Sequence, residues 1–180
     1  MALRRLRRIR LHLPLAVAAL ALAHPEARSA PWGIALVGVA EALRWWAAGV
    51  LIKGGGLCVW GPYQYVRHPL YLGTVTGAVG LCLLTNSPWV WGIVLPAFLQ
   101  VYAWQIREEE RLLAEAYGDA YTAWARRVPM LLPRLHPARP AAVRRWTRSR
   151  AFANREQFHA LVTVVLVGLF LLKPALLGAR

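Results

Sequence analysis

The sequence predicts an all-α protein, a multi-pass transmembrane bundle of about five helices. Of its 180 residues, 58% are hydrophobic and 17% are charged, whereas a soluble domain is nearer half apolar and a quarter charged. The apolar residues are concentrated in long blocks, which is typical of membrane spans. A net charge of +14 would suit a nucleic-acid-binding protein, but the arginines lie before and between the apolar blocks. We therefore expect a bilayer containing anionic lipids as a partner, and no nucleic acid.

The first apolar block, residues 11–23, follows the cationic run MALRRLRRIR. A charged run, a short apolar block and the Ala-Leu-Ala at 21–23 together have the shape of a cleaved signal peptide. A retained first helix is the alternative, and we favour it because most of the chain is apolar enough to lie in a membrane. The block is shorter than the roughly 20 residues that cross a bilayer upright.

The second apolar block, residues 32–52, contains two ionisable groups, Glu41 and Arg44. Their spacing places them on one helix face, where they can pair with each other. One interpretation is a neutralising ion pair close to the interface. The other is that both groups face a protein interior or a wet cavity, as ionisable groups at membrane depth usually do.

Three further apolar blocks follow. Residues 70–84 and 89–106 are joined by Thr-Asn-Ser-Pro, whose turn formers predict a helical hairpin. The final block covers residues 158–172. The chain thus divides into a membrane core, residues 1–133, and a second part, residues 134–180, which is a basic segment followed by a C-terminal transmembrane helix.

Lysine and arginine orient these blocks. Five arginines precede the first block, and nine lie between Arg126 and Arg155 without an acidic residue. The positive-inside rule then places the N-terminus and residues 53–68 and 107–156 in the cytoplasm, and the C-terminus with Lys173 and Arg180 outside. The bacterial inner membrane is the expected location.

Metal and disulfide chemistry have no support in the sequence. Cys58 and Cys82 lie in apolar surroundings without ligand spacing, so we expect two buried thiols. We predict no metal, because no ligand-like spacing is found among the remaining histidines, His12, His24, His136 and His159.

The string GPYQYVRHPLYLG, residues 61–73, concentrates polar aromatic and cationic side chains where the chain enters its third apolar block. Its prolines stiffen the segment, and Pro69 can begin a helix. Each tyrosine or arginine taken alone suits an interfacial belt that anchors helices at headgroup level. The ordered combination indicates a binding site instead.

A second string, REEERLLAEAYGDAYTAWARRVP, begins at Arg107, at the end of the fourth apolar block. Its three adjacent carboxylates repel one another unless a cation draws them in, and pairs with Arg107 and Arg111 on a solvated helix are the simpler interpretation. The expected topology, however, brings these carboxylates to the membrane face that also holds His68. There a carboxylate can receive an amino group, a ribose hydroxyl or a sulfonium.

The two strings, in this order, resemble the isoprenylcysteine carboxyl methyltransferase and phospholipid methyltransferase group of integral membrane enzymes. The resemblance covers residues 43–129, from LRWWA through GPYQYVRHPLYLG and NSP to EERLLAEAYGDAYTAWARRVP. It implies a methyltransferase that binds S-adenosylmethionine in a cytoplasmic pocket. It also implies a lipophilic small-molecule or lipid acceptor, for example an isoprenylcysteine carboxylate or a lipid headgroup.

The resemblance also suggests roles for individual residues. Arg67, His68 and Glu109 would be the catalytic group, with Arg67 fixing the local fold or neutralising the cofactor carboxylate. Glu109, the first glutamate of the matching pair, would hold the cofactor, whereas Glu108 falls outside the pattern. An amine acceptor would need a base, for which His68 or a glutamate is a candidate. The implied cofactor-binding residues are Leu57, Tyr63, His68, Pro69, Leu70, Tyr71, Glu109 and Glu110.

One departure leaves the acceptor open. Gln105 stands where the carboxyl-methylating enzymes often carry arginine, and a neutral amide pairs poorly with a substrate carboxylate. Two other functions remain as alternatives. Membrane sterol reductases have a similar C-terminal architecture and bind a nicotinamide cofactor, NADPH. A non-enzymatic protein could instead bind anionic lipid through the basic residues 126–155.

Overall fold

A computed structural model of the chain describes residues 13–138 and 144–176. All regular structure in these two ranges is helical, which confirms the predicted all-α class. The N-terminal arginines, His12, the middle of the basic segment at 139–143 and Arg180 lie outside the described residues. The expectations made for them stay predictions.

Each predicted apolar block contains a helix. In chain order, the five blocks contain helices α1, α2, α3, α4 and α6. The six-residue helix α5 was not predicted, because so short a segment shows no periodicity. A 3-10 turn, Gly61–Gln64, precedes α3, and a π-helical turn, Val90–Val94, leads directly into α4. The bounds are α1 Leu13–Leu22, α2 Ala30–Val50, α3 Pro69–Thr85, α4 Leu95–Ala125, α5 Arg148–Ala153 and α6 Glu156–Leu176.

Among the described residues, two helices are long and apolar enough to cross a bilayer, α2 and most of α6. The apolar helices α1 and α3 are shorter. Only 6% of the apolar window of α6 is buried, so side chains such as Val164 and Leu172 are exposed along its length. Such a continuous apolar surface is costly in water and normal in lipid. The architecture is therefore consistent with a helical membrane protein.

Close packing of α2 against α3 is the main helix contact of the bundle. A Cβ added at Gly33 would lie 2.7 Å from the carbonyl oxygen of Gly80, and one added at Gly80 would lie 3.0 Å from that of Gly33. One end of the same seam is formed by Gly73, where a Cβ would lie 3.0 Å from the Ala40 carbonyl oxygen. Small residues allow this approach of two backbones, and in lipid such packing largely determines helix association.

Polar contacts join α2 to α6. Arg44 does not pair with Glu41 as the intrahelical prediction had it; its guanidinium binds Glu156, with an Nη2–Oε2 distance of 2.8 Å. Glu41 instead accepts from His159, with Nδ1 3.0 Å from Oε1. The prediction of a Glu41–Arg44 pair was therefore wrong, because α6 supplies a partner for each residue. The alternative, that both groups face the protein interior, is confirmed.

Backbone contacts define two ends of the bundle. At one end, His24 N donates to Thr85 O at 2.7 Å, and Lys173 Nζ donates to the last carbonyls of α1. At the other end, Arg134 N donates to Tyr65 O and Thr147 N donates to Gly49 O, both at 3.0 Å. The connection before α3 and the arginine-rich segment therefore lie together, opposite Lys173, as the charge pattern predicted.

We predict that Gly33→Ala lowers the stability of the protein in detergent. Its Cβ would meet the backbone of α3, and overpacking of this kind costs about 1–3 kcal/mol. The matched control is Gly38→Ala on the same helix, where a Cβ meets nothing within 4 Å. Thermal unfolding of both variants measures the difference, and equal melting temperatures would contradict the close-packed seam.

Candidate functional site

The RHPLY segment, residues 67–71, leads into α3 and is held by the turn before it and by backbone hydrogen bonds to the segment after α4. Gly61 begins the 3-10 turn before it with φ +56°, a conformation that favours glycine. Arg67 N donates to Pro129 O at 2.8 Å and His68 N donates to Met130 O at 3.2 Å. The first string is thereby hydrogen-bonded to the end of the second.

A kink in α4 shapes the other side of the site. Gly118 adopts φ +49° and ψ −123° inside the helix, so the last turn changes direction there. Beyond the kink, Tyr121 is buried and its ring contacts Trp124 edge to face at 5.8 Å. The kink at Gly118 turns Tyr121 and Trp124 in a new direction, which explains why the second string contains a glycine there.

Arg67, His68 and Glu110 form the polar centre of the site. The Nη2 of Arg67 lies 2.7 Å from Oε1 of Glu110, and His68 Nε2 lies 3.2 Å from the same oxygen. The Nη1 of Arg67 donates to the carbonyls of Ala125 at 2.8 Å and Val128 at 3.2 Å. Arg67 therefore fixes the local fold, one of the two roles predicted for it.

Glu109 differs from its neighbours in having no fixed partner. Within the described ranges it makes no hydrogen bond or ion pair, and it is half-buried. Its carboxylate acts electrostatically on His68, Tyr63 and Tyr121. Glu109 is thus a carboxylate at the site that is free to bind a ligand.

Burial keeps three titratable side chains of the site, His68, Tyr63 and Tyr121, uncharged at neutral pH. Burial lowers the pKa of His68, and the nearby carboxylates of Glu109 and Glu110 only partly oppose this. Burial raises the pKa of Tyr63 well above its usual value. Burial, followed by the charge of Glu110, raises the pKa of Tyr121 to about 12. At neutral pH the imidazole is therefore uncharged and both phenols keep their protons.

A chain of aromatic rings runs from His68 into the bundle. Tyr71 lies 5.6 Å from the His68 ring centroid and 5.7 Å from that of Tyr102, and Tyr102 lies 4.5 Å from Phe98. Tyr102 and Phe98 also line a cavity of about 560 Å³ between α1, α2, α3, α4 and α6. The wall of this cavity is almost entirely apolar, and it was not identified from the sequence.

The structure brings most of the predicted residues to one place. Tyr63 and Leu70 pack around Ala47, Val50 and Cys58. Pro69 is buried at the start of α3, and Leu57 is half-buried beside Cys58. Both cysteines are buried thiols, as predicted.

The three adjacent glutamates, residues 108–110, differ in their partners. Glu108 pairs with Arg111 at 2.9 Å on the exposed face of α4, and Arg107 is exposed. The sequence interpretation ranked Glu109 above Glu110 as a ligand of the cofactor, which stays a prediction. In the structure Glu110 binds Arg67 and His68. Tyr121 and Trp124 were not selected from the sequence, although both stand in the second string, because their approach depends on the kink at Gly118.

A family model described as phospholipid methyltransferase matches residues 31–120, which hold α2, α3 and most of α4. Among curated proteins, the cobalt-zinc-cadmium resistance protein CzcN of Cupriavidus metallidurans is 37% identical over 105 residues, 57% of this chain and 48% of that protein. The chain thus spans about half the length of this relative. No solved structure matches the chain.

Two further relatives carry enzyme names. The methanethiol S-methyltransferase of Crocosphaera subtropica is 37% identical over 71 residues, 39% of this chain and 27% of that protein. The protein-S-isoprenylcysteine O-methyltransferase of Schizosaccharomyces pombe is 34% identical over 76 residues, 41% of this chain and 31% of that protein.

In residues 13–138 and 144–176, no three metal-binding side chains come together.

We expect Glu110→Gln to lower the melting temperature markedly. The change removes the charge that pairs with Arg67, whose side chain is only 15% exposed, and leaving a buried charged donor poorly satisfied costs about 1–3 kcal/mol. Glu108→Gln is the matched control, since its pair with Arg111 is solvated and worth about 0–1 kcal/mol. Similar melting temperatures for the two variants would contradict the central role of the Arg67–Glu110 pair.

The lowered pKa of His68 predicts a pH dependence of stability. As pH falls through the ordinary value near 6.5, the unfolded chain takes up a proton at this residue before the folded protein does. Stability should therefore fall below that pH, by at most about 1.4 kcal/mol per pH unit for one proton. Melting temperatures of the wild type and His68→Gln from pH 8 to pH 5 measure this, and the variant should show the shallower decline. Parallel curves would show that His68 is not the group responsible.

Proposed function

This chain belongs to the phospholipid methyltransferase family, and from that membership we propose that it is an integral membrane methyltransferase that uses S-adenosylmethionine to methylate a lipophilic acceptor. The observation that carries the proposal is the carboxylate of Glu109, which has no fixed partner in the described part of the chain and lies at the aromatic site around His68.

The residues of the site fit such a cofactor chemically. Glu109 is suited to bind an amino group or a ribose hydroxyl. Buried donors without a hydrogen-bond partner among the described residues, Arg67 Nε and Trp124 Nε1, are suited to carboxylate or base acceptors. The faces of Tyr63, Tyr71 and Tyr121 tolerate a positive charge. When bound, S-adenosylmethionine supplies an electrophilic methyl group on a sulfonium.

The protein has three tasks in such a reaction. It has to align the acceptor with the methyl group, exclude water and stabilise the charges that change. The Arg67–Glu110 pair holds the RHPLY segment in place, and a row of contacting aromatic rings continues from His68 to Phe98. His68, buried and neutral at pH 7, can hold or accept a hydrogen bond without adding a positive charge beside a sulfonium.

The chain is proposed to cross the membrane several times, in the bacterial inner membrane with the site facing the cytoplasm. The site and the described arginines of the 126–155 segment lie at the same end of the bundle, which is the end that the positive-inside rule assigns to the cytoplasm. Exposed Trp32 and Trp89, at the opposite end, suit the other headgroup layer.

Glu109→Gln is expected to weaken the binding of S-adenosylmethionine to the purified full-length protein at least about tenfold, because a charge-assisted hydrogen bond is lost. Isothermal titration calorimetry measures the affinity. Glu115→Gln is the control, since Glu115 is 58% exposed on the same helix and pairs with Arg111.

The same titration separates this proposal from its alternatives. Binding of NADPH without binding of S-adenosylmethionine would indicate a reductase of the sterol-reductase type. Binding of neither cofactor by the wild type, with anionic vesicles bound, would favour a non-enzymatic lipid-binding protein. Either result would overturn the methyltransferase proposal.

A further inference from the structure

We propose that His159, oriented by Glu41, is the base that accepts a proton from a lipophilic thiol bound in the apolar cavity. The inference rests on the proposed methyltransferase function and names the substrate class of that site. Both residues line the cavity, and His159 lies on α6, outside the residues 31–120 that match the family.

The contact between the two side chains fixes which ring nitrogen is available. Glu41 Oε1 lies 3.0 Å from Nδ1 of His159 and 2.8 Å from the hydroxyl oxygen of Thr163. Because an ionised carboxylate only accepts hydrogen bonds, Nδ1 carries the hydrogen and Nε2 keeps its lone pair. A carboxylate placed behind an imidazole in this way orients the ring and stabilises the imidazolium that forms when it takes a proton.

The cavity has one polar end, and that end adjoins the cofactor segment. Apart from Thr85 at the far end of α3, whose hydroxyl donates to the Cys82 carbonyl oxygen, its polar lining residues come from early α3 and α6 and from the part of α4 next to the site: Thr74, Tyr102, His159 and Thr163, together with Glu41 of α2. Tyr102 contacts Tyr71 at 5.7 Å, and Tyr71 contacts His68 at 5.6 Å. The rest of the lining is apolar, from Leu15 of α1 to Phe170 of α6. An acceptor with an apolar body would therefore present its reactive atom near His159.

The chemistry of the cavity favours a thiol over other acceptors. A carboxylate acceptor would have to bring a charge into apolar surroundings beside Glu41, which is costly, and it would need no base. An alcohol is a much weaker acid than a thiol and gives up its proton to an imidazole far less readily. A thiol enters uncharged, has a pKa of about 8.5 in the case of cysteine, and becomes a strong nucleophile only as the thiolate. A histidine base is matched to that proton.

The proposed step balances as follows. The thiol S–H bond breaks, and its proton moves to Nε2 of His159. The sulfur lone pair of the acceptor forms a new bond to the methyl carbon, and the electron pair of the old carbon–sulfonium bond stays with the cofactor. The products are a methyl thioether, the demethylated and uncharged cofactor, and an imidazolium held by Glu41. That imidazolium then releases its proton at the site-bearing end of the bundle, where His159 lies in the first turn of α6 and its side chain is 35% exposed.

The competing explanation is that the contact between His159 and Glu41 only holds α6 against α2. The protein contains a matched control for this explanation. Arg44 and Glu156 also join α2 to α6, with Nε 3.0 Å from Oε2, but neither side chain lines the cavity. Glu156→Gln weakens the contact between α2 and α6 but leaves His159 and Glu41 unchanged.

The test uses purified full-length protein, S-adenosylmethionine and two acceptors, octanethiol and the more acidic thiophenol. For His159→Gln we expect the rate with octanethiol to fall about 100-fold or more, and the rate with thiophenol, whose more acidic S–H bond needs less help from a base, to fall at least about tenfold less. S-adenosylmethionine affinity measured by calorimetry should stay that of the wild type. Glu156→Gln should lower the melting temperature and change both rates by a similar small factor. Glu41→Gln serves as a second variant, with the same selective loss for octanethiol, if His159→Gln does not fold.

Occupation of the cavity is tested without cofactor. Octyl methyl sulfide, the expected product, should raise the melting temperature of the wild type, because it binds the folded state alone. Ala78→Phe, which fills part of the cavity, should abolish that shift.

Three results would overturn the inference: equal loss with both thiols in a folded His159 variant, no loss with either, or no thioether-induced shift. Wild-type protein that binds S-adenosylmethionine but does not methylate octanethiol would refute this inference alone. Wild-type protein that does not bind S-adenosylmethionine would refute the proposed function beneath it.

Discussion

The side chain of Arg67 joins the parts of the candidate site. Its guanidinium binds Glu110 in the middle of α4 and two carbonyls, of Ala125 and Val128, where that helix ends. One planar group with several donors can satisfy three acceptors in this way, which an ammonium group could not do with the same geometry. The contact fixes the RHPLY segment against both ends of the second string. The contact thereby links the segment that holds His68 to α4 on both sides of the kink at Gly118.

The membrane imposes a second constraint, on how the helices associate. Apolar side chains gain little by leaving lipid for a protein interior, so close backbone packing and polar contacts have to hold the bundle together. The seam of Gly33, Gly73 and Gly80 provides the packing between α2 and α3. The pairs of Arg44 with Glu156 and of Glu41 with His159 provide the polar contacts to α6. The cavity lies between these two sets of contacts, where α6 stands apart from α3 and α4.

The family match covers the polar centre of the site but only part of the cavity wall. The family match covers residues 31–120, the part that carries both strings and the polar centre around Arg67. It does not extend to α6, which contributes His159, Thr163 and Phe170 to the cavity wall. Relatives that match part of the chain carry names as different as a metal-resistance protein and a methanethiol methyltransferase. The acceptor is therefore proposed to be recognised in part by residues of α1 and α6, outside the family match, and the cofactor by residues within that match.

The sequence by itself determined the helical class, the order of the apolar blocks and the common end of the two strings. These follow from local rules, since long apolar blocks need internal hydrogen bonds in lipid and arginines stay on one side. Arg67, His68, Glu109 and Glu110 could be selected because all four lie in contiguous strings. Only the tertiary structure decided that Glu110 rather than Glu109 binds Arg67 and His68, because adjacent carboxylates on a helix are distinguished by the direction each faces. It also decided that Glu41 binds His159 instead of Arg44, since an α6 residue 118 positions away lies closer to the carboxylate than the one 3 positions along its own helix.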